Sequence, residues 1–399
     1  MAEIPRWIRT SGDVAAVAAR LRESSAIALD TESDSLHHYP ARLCLVQVAD
    51  AAGLAHLIDP LSGADLSLLG PVLGDPGILK IVHAGDNDLA ALRQRFGFRV
   101  TPLFDTYIAA RFLGVTELGL DGLLHRFLGV TLGASRQKDD WSVRPLTPAQ
   151  EAYALDDVRY LIALSEHLGI ALEQLGRAGW VREECEALTQ LDFAIKPEDP
   201  DAYLGLKGAR TLSARSRAVL RELHVLREAL ARSLDRPPFK ILGNDVLVAL
   251  AAARPRDLAS LLAVAGANPR AAERFGAALL AAIERAEAIP EGDLPESPRR
   301  SHPPLPGRVR RRIDALRAWR GTASERLGLD PGVLLPGRLI ERIAEAVPGD
   351  VEALSRIDAL RSWRVAELGK EIVAVTLEGG FGGTGGLPGS RESAEARQP

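Results

Sequence analysis

A mixed α/β domain followed by two small all-helical domains is the fold this sequence predicts, and three observations predict it. The first half alternates short Val-, Ile- and Leu-rich runs with helical patterns. From about residue 210 the strand signal vanishes. Within that second half, two helical stretches align with each other without a gap.

The runs "AIALDT", "LCLVQVAD", "LAHLID" and "ILKIVHA" read as strands, bounded by Gly, Pro or Asp. The first three follow one another closely, which favours antiparallel neighbours. Helical patterns cover residues 12–23, 64–73, 86–95, 104–113, 119–128 and 147–169. The last starts well, with Thr147 as N-cap, Pro148 at the first helical position and Glu151 in the first turn. Strands with helices between and after them imply a mixed sheet covered by helices.

The stretch "SARSRAVLRELHVLREALARSL" opens the helical half and is amphipathic. Beyond it, "LDRPPFKILGNDVLVALAAARPRDLASLLAV" matches "LGLDPGVLLPGRLIERIAEAVPGDVEALSRI" at an offset of 93 residues. Pro238 pairs with Pro331, Pro255 with Pro348, Asp257 with Asp350 and Gly276 with Gly369. Proline fixes where helices start and stop, so matched prolines mark two copies of one helical module. The expected organisation is a catalytic-type domain at 1–195, a linker at 196–209 and a first helical domain at 210–290. A second linker at 291–304, a second helical domain at 305–376 and a Gly-rich tail at 377–399 complete it.

Composition excludes several classes. The 399 residues are 46% apolar and 26% charged, which is ordinary globular composition. A net charge of −4 gives no bulk attraction to nucleic acid or membrane, so any such role rests on local patches. Two cysteines, Cys44 and Cys185, make no disulfide framework and fit a reducing cytoplasm. No signal peptide or membrane span is expected.

The informative residues are acids. In "IALDTESDS", Asp30 and Glu32 lie two apart on a strand and face one spot. In "IVHAGDNDLAAL", Asp86 and Asp88 follow a strand at a helix start. In "YALDDVRYL", Tyr153 and Asp157 are four apart on a helix and stack on one face. Each acid alone reads as a solvated strand end, a first-turn acid or a surface ion-pair member. Together, four carboxylates from a strand, a strand-to-helix turn and a later helix suit two divalent cations, Mg²⁺ or Mn²⁺. Such a pair serves in-line displacement at a phosphodiester.

The ordered set "DTE", "HAGDNDL" and "YALDD", with "PLFDTYIAARFLG" and "DDWSVRPLTPAQ" between, resembles the ribonuclease D family of DEDD 3′→5′ exonucleases. The resemblance spans residues 1 to about 375 and is of the tyrosine subtype, with Ala152 where the histidine form has His. It implies a ribonuclease H-like exonuclease domain followed by two HRDC-like domains. It implies Asp30, Glu32, Asp88 and Asp157 as metal ligands and Tyr153 as the residue orienting the attacking water. It favours Asp88 over Asp86, and it leaves Asp156 on a neighbouring helix face. The implied partner is RNA with a single-stranded 3′ end, such as a tRNA precursor; the cysteine usage adds a cytoplasmic setting, and a monomer is expected.

Two departures stand out. Ser33 occupies the place where many relatives have Phe, leaving Phe104, Tyr39 or His37 as aromatic candidates. A lysine common near Ala134 is missing, and Arg136 or Lys138 stands close by. Further substrate-binding candidates are His83, read as a phosphate contact or a cap in the site wall, and Trp141 with Arg144. That last pair either clamps RNA or anchors an ordered loop. His37, His38 and Cys44 lack zinc-site spacing. Residues 299–320 hold eight arginines against Asp314, a phosphate-tracking patch or a solvated basic linker. The reading is a metal-dependent 3′→5′ exoribonuclease. A DNA exonuclease and a non-catalytic RNA scaffold are the alternatives.

Overall fold

The computed structural model describes residues 6–193, 199–264, 266, 268–296 and 305–380. The chain divides into two compact units at residue 302, with the short piece 111–114 grouping with the second. The expected tail from 381 onward, Arg299, Arg300 and parts of both linkers lie outside the described residues.

The first unit begins with β1 (Trp7–Ile8), α1 (Ser11–Leu21), β2 (Ala26–Ser33), β3 (Leu43–Asp50) and β4 (Ala55–Ile58). It continues with α2 (Leu69–Leu73), β5 (Leu79–Val82), α3 (Asp86–Phe96), β6 (Leu103–Asp105) and α4 (Thr106–Phe112). Helices α5 (Leu120–Leu128), α6 (Pro148–Arg159), α7 (Leu161–Gln174) and α8 (Ala178–Thr189) follow. The six strands form one mixed sheet in the order β1-β4-β3-β2-β5-β6. As expected from their short connections, β2–β3 and β3–β4 are antiparallel, whereas β2–β5 and β5–β6 are parallel.

The helix expected over 64–73 covers only Leu69–Leu73, and three further local differences from the sequence reading have physical causes. The helix expected over 147–169 is two helices broken at Tyr160, whose own N–H bonds back to Val158 rather than one full turn earlier. The helix expected from 104 begins at Thr106, because Leu103–Asp105 pair with β5. Strand β1, two residues long, carries no period to detect.

One register feature creates the site. Strand β2 pairs with β5 only over Ala26–Ala28, so Asp30 to Glu32 run past the end of β5. The chain leaves β5 there and turns into α3. A Cβ on Gly85 would come within 2.6 Å of Val82 Cγ2, so only glycine fits this turn. Across the sheet, Ala28, Ala49 and Ile81 pack against Val158 and Leu161. This apolar contact seats α6 and α7 over the strands that carry the acids.

The helical modules repeat to the residue. Helices α9 (Ala214–Ser233), α10 (Pro238–Ile241), α11 (Asn244–Ala253), α12 (Leu258–Leu262) and α13 (Pro269–Glu287) form the first. Helices α14 (Gly307–Leu327), α15 (Pro331–Leu334), α16 (Gly337–Ala346), α17 (Val351–Ser355) and α18 (Ser362–Glu378) form the second. Every start is displaced by 93 residues, as is the detail. Asp257 and Asp350 both cap short helices, and Arg254 and Val347 both end a helix at φ 50°. Arg227 donates to the Leu242 carbonyl, and Arg320 donates to the Leu335 carbonyl. Gly276 and Gly369 each face the first residue of the preceding short helix, where a Cβ would crowd Leu258 or Val351.

The stretch expected as the 196–209 linker is not free of the first module. Tyr203 and Ala209 are buried in its core, because the aromatic ring and the turn at 209–211 close the end of the helix cluster.

Candidate active site

Asp30, Glu32, Asp88, Tyr153 and Asp157 all line one cavity of about 610 Å³. Carboxylate oxygens of Asp30, Glu32 and Asp157 lie within 4.8 Å of one another. Asp88 stands slightly apart from this trio, and its Oδ1 accepts a hydrogen bond from the Thr31 hydroxyl. The two competing acids stay outside. Asp86 is exposed in the first turn of α3, and Asp156 pairs with Arg159 at 3.0 Å.

Among the described residues, five carboxylates line the cavity, counting Asp121, and no lysine or arginine does. Burial and mutual repulsion therefore push the acids up together. Burial, then Asp88, Asp157 and Glu32, hold Asp30 well above the usual carboxylate range. Burial and then Asp157 raise Glu32 to about 9. Burial raises Asp157 to about 7 against the opposing hydrogen bond from Tyr153. Burial raises Asp88 to about 6 against the Thr31 hydroxyl. Acids so placed lack a counter-charge, and hard oxygen ligands in this number fit a divalent cation.

Tyr153 packs its ring 6.1 Å from the indole of Trp141, which has no exposed surface. Burial and the neighbouring carboxylates raise the phenol of Tyr153, so it stays protonated. The cavity wall around the acids also carries His83, Tyr107, Ser135 and Gln137. His83 bonds through Nδ1 to the Thr106 hydroxyl at 3.0 Å, and burial holds it below the usual imidazole range, so the ring is neutral.

The other substrate-binding expectations fall elsewhere. Trp141 sits in the core beneath α6 with Cys44, Leu45 and Leu155, so it offers no face to a base. Arg144 spends its guanidinium on the buried carboxylate of Asp59, at 2.9 Å from both oxygens, and on backbone carbonyls of Cys44 and Trp141. It anchors the loop rather than facing the cavity. Arg136 pairs with Asp139 at 3.9 Å, and Lys138 contributes its carbonyl to His37; neither lines the cavity. The aromatic candidates are also committed: Tyr39 donates to Glu228 of α9, and Phe104 packs on the sheet core.

Sequence reasoning missed Asp105. Its buried carboxylate accepts from the N–H groups of Ala84, Gly85 and Tyr107 at 2.8 to 3.0 Å. These bonds clamp the turn that launches α3 and so set where Asp88 stands. Its signals were an acid closing the short run "PLFD" before a helix and its place in the stretch "PLFDTYIAARFLG" that shares in the family resemblance.

Comparison with known proteins bears on this geometry. A 3′–5′ exonuclease family model matches residues 5–173, and an HRDC domain model matches twice, at 216–283 and 309–376. The ribonuclease D of Granulibacter bethesdensis is 33% identical over 380 residues, covering 93% of this chain and 92% of that protein. The chain belongs to the ribonuclease D family. The ribonuclease D of Pseudomonas paraeruginosa is 32% identical, covering 92% of this chain and 96% of its own. The crystal structure of Escherichia coli RNase D, an exoribonuclease involved in structured RNA processing, superposes with a TM-score of 0.70 at 29% identity. That match covers 93% of this chain and 98% of the other. As a ribonuclease D family member the chain is a 3′→5′ exoribonuclease, with the exonuclease and HRDC domains in the order expected from its motifs. Among the described residues, no helix is long and apolar enough to cross a membrane.

Proposed function

We propose that Asp30, Glu32, Asp88 and Asp157 hold two divalent cations, Mg²⁺ or Mn²⁺, and that the chain releases nucleoside 5′-monophosphates from RNA 3′ ends. The observation that carries this reading is the cavity's five carboxylates without a lysine or arginine among the described residues that line it. When bound there, such ions supply the positive charge that activates water and stabilises the departing 3′ oxygen.

The protein's own groups do the rest. Asp30 feels the charges of Asp88, Asp157 and Glu32 together and, with those three, would hold the ions. The neutral phenol of Tyr153, hydrogen-bonded toward Asp157, holds and orients the attacking water without serving as its base. The water oxygen adds to phosphorus as the bond to the 3′ oxygen breaks; the water gives up its proton to solvent, and the departing 3′ oxygen takes one proton from solvent. Neutral His83 braces the cavity wall beside Asp88 through Thr106.

A recessed carboxylate cluster admits a single strand more readily than a duplex, which favours substrates with free 3′ ends. Precursor tRNAs with extra 3′ nucleotides fit that description, and we place the monomeric enzyme in the cytoplasm with them. The test compares a tRNA bearing extra 3′ nucleotides with RNA and DNA of matched 3′ overhangs, in Mg²⁺ and in EDTA. Stepwise shortening of the RNAs that EDTA stops is the expected result. Faster digestion of DNA overturns the substrate assignment.

A further inference from the structure

Gln47 is the one amide in the buried strand "LCLVQVAD", and it has no exposed surface. It stands directly opposite Asp30 in the β2–β3 ladder, on the same face of the sheet. On its other side it pairs with Leu57 of β4, so it cannot swing out to solvent. Its Nε2 donates to Asp30 Oδ2 at 3.2 Å, whereas its Oε1 has no hydrogen-bond partner among the described residues. Burying an amide with half its polar groups unpaired is costly, and an apolar residue would fill the strand at less cost.

We propose that Gln47 is a positioning residue of the metal centre, fixing the Asp30 carboxylate by one oxygen so that its remaining lone pairs face the cations. The choice of side chain follows from the chemistry. Glutamate at this place would add a further negative charge to a cavity already short of cations. Lysine would neutralise Asp30 and compete with the metal. The amide supplies a donor without charge. An ionised carboxylate only accepts, so the amide must present its nitrogen to Asp30 whenever a cation is bound. Buried donors that orient metal-binding carboxylates govern affinity at a distance from the ion itself.

This inference rests on the reading of Asp30 as a metal ligand, and the experiment separates the two. Mn²⁺ affinity is measured by titration calorimetry on the full chain carrying Gln47→Met, with Asp30→Asn in parallel, and the unfolding midpoint of each is measured in EDTA. Gln47→Met is expected to weaken Mn²⁺ binding by roughly 10-fold to 100-fold with a midpoint in EDTA no lower than the parent's. Mn²⁺ affinity within about twofold of the parent overturns the inference, as does a lowered midpoint with unchanged affinity. If Asp30→Asn loses Mn²⁺ while Gln47→Met binds it normally, the inference alone fails. If Asp30→Asn binds Mn²⁺ like the parent, the metal reading fails with it. Should Gln47→Met not fold, Gln47→Leu carries the same expected results.

Discussion

Thr31 stands between Asp30 and Glu32 in β2, and its hydroxyl donates to Oδ1 of Asp88 on α3. The strand that carries two of the acids therefore also holds the third by a side chain. Thr31→Val keeps the shape and the β-branch but removes the donor. We expect weaker activation by Mg²⁺, by roughly 10-fold to 100-fold in the concentration needed, since such partners orient ligands. Mg²⁺ titration of RNA shortening measures this, with RNA affinity in EDTA expected to stay level.

The crowding of the acids makes a pH prediction with a definite sign. In the unfolded chain these carboxyls lose their protons near pH 4 or so. Folded, Asp88, Asp157 and Glu32 hold them to about 6, 7 and 9. Between those limits the folded chain binds more protons than the unfolded one, so its stability without cations falls as pH rises. Below the unfolded values both states are protonated and the penalty is gone. The unfolding midpoint in EDTA should drop between about pH 5.5 and about pH 8, and Mg²⁺ should restore more of it at the higher pH. Asp157→Asn should flatten the drop; a midpoint that rises with pH in the parent would contradict this assignment.

Arg144 was a substrate candidate from its place after Trp141, and its geometry assigns it another task. Asp59 is 1% exposed, and each of its oxygens accepts a hydrogen bond from this one guanidinium, with the Leu61 N–H adding a third to Oδ1. Arg144→Ala leaves a buried carboxylate without its main partner, a loss of about 3 kcal/mol or more. Chemical denaturation should show that loss, while RNA affinity of the folded protein stays near the parent's.

The basic stretch ahead of the second module divides on inspection. Arg312 and Arg320 donate to backbone carbonyls of Ala344 and Leu335 inside their own module. Arg308, Arg310 and Arg311 are exposed on the first turns of α14. If these three track phosphates, replacing them with serine should weaken RNA binding and reduce the slope of log affinity against log salt by about 2. An unchanged slope identifies the segment as a solvated basic linker.

How far the sequence carries can be read from these residues. The proximity of Asp30 to Glu32, and of Tyr153 to Asp157, follows from strand and helix periods alone, and both pairs line the cavity. The choice of Asp88 over Asp86 does not follow from periodicity, because both lie in the first turn of α3. It depends on the Asp105 clamp across the sheet, a contact between residues distant in sequence. The exact repeat of the helical modules was legible because prolines and capping aspartates act locally. Trp141 and Arg144 were not legible, since a buried and an exposed tryptophan look alike in a loop. Gln47, a lone amide in an apolar strand, passed unremarked in the sequence, and its partner emerged only with the register of β2 against β3.

The most direct test of the metal-centre account is the shortening of a 5′-labelled RNA with a single-stranded 3′ end by the parent chain and by Asp157→Asn, with Mg²⁺ present and RNA fully bound in both. The account predicts a ladder of one-nucleotide steps from the parent, its disappearance in EDTA, and no ladder from a variant that still holds RNA. Equal ladders from the two proteins would contradict it.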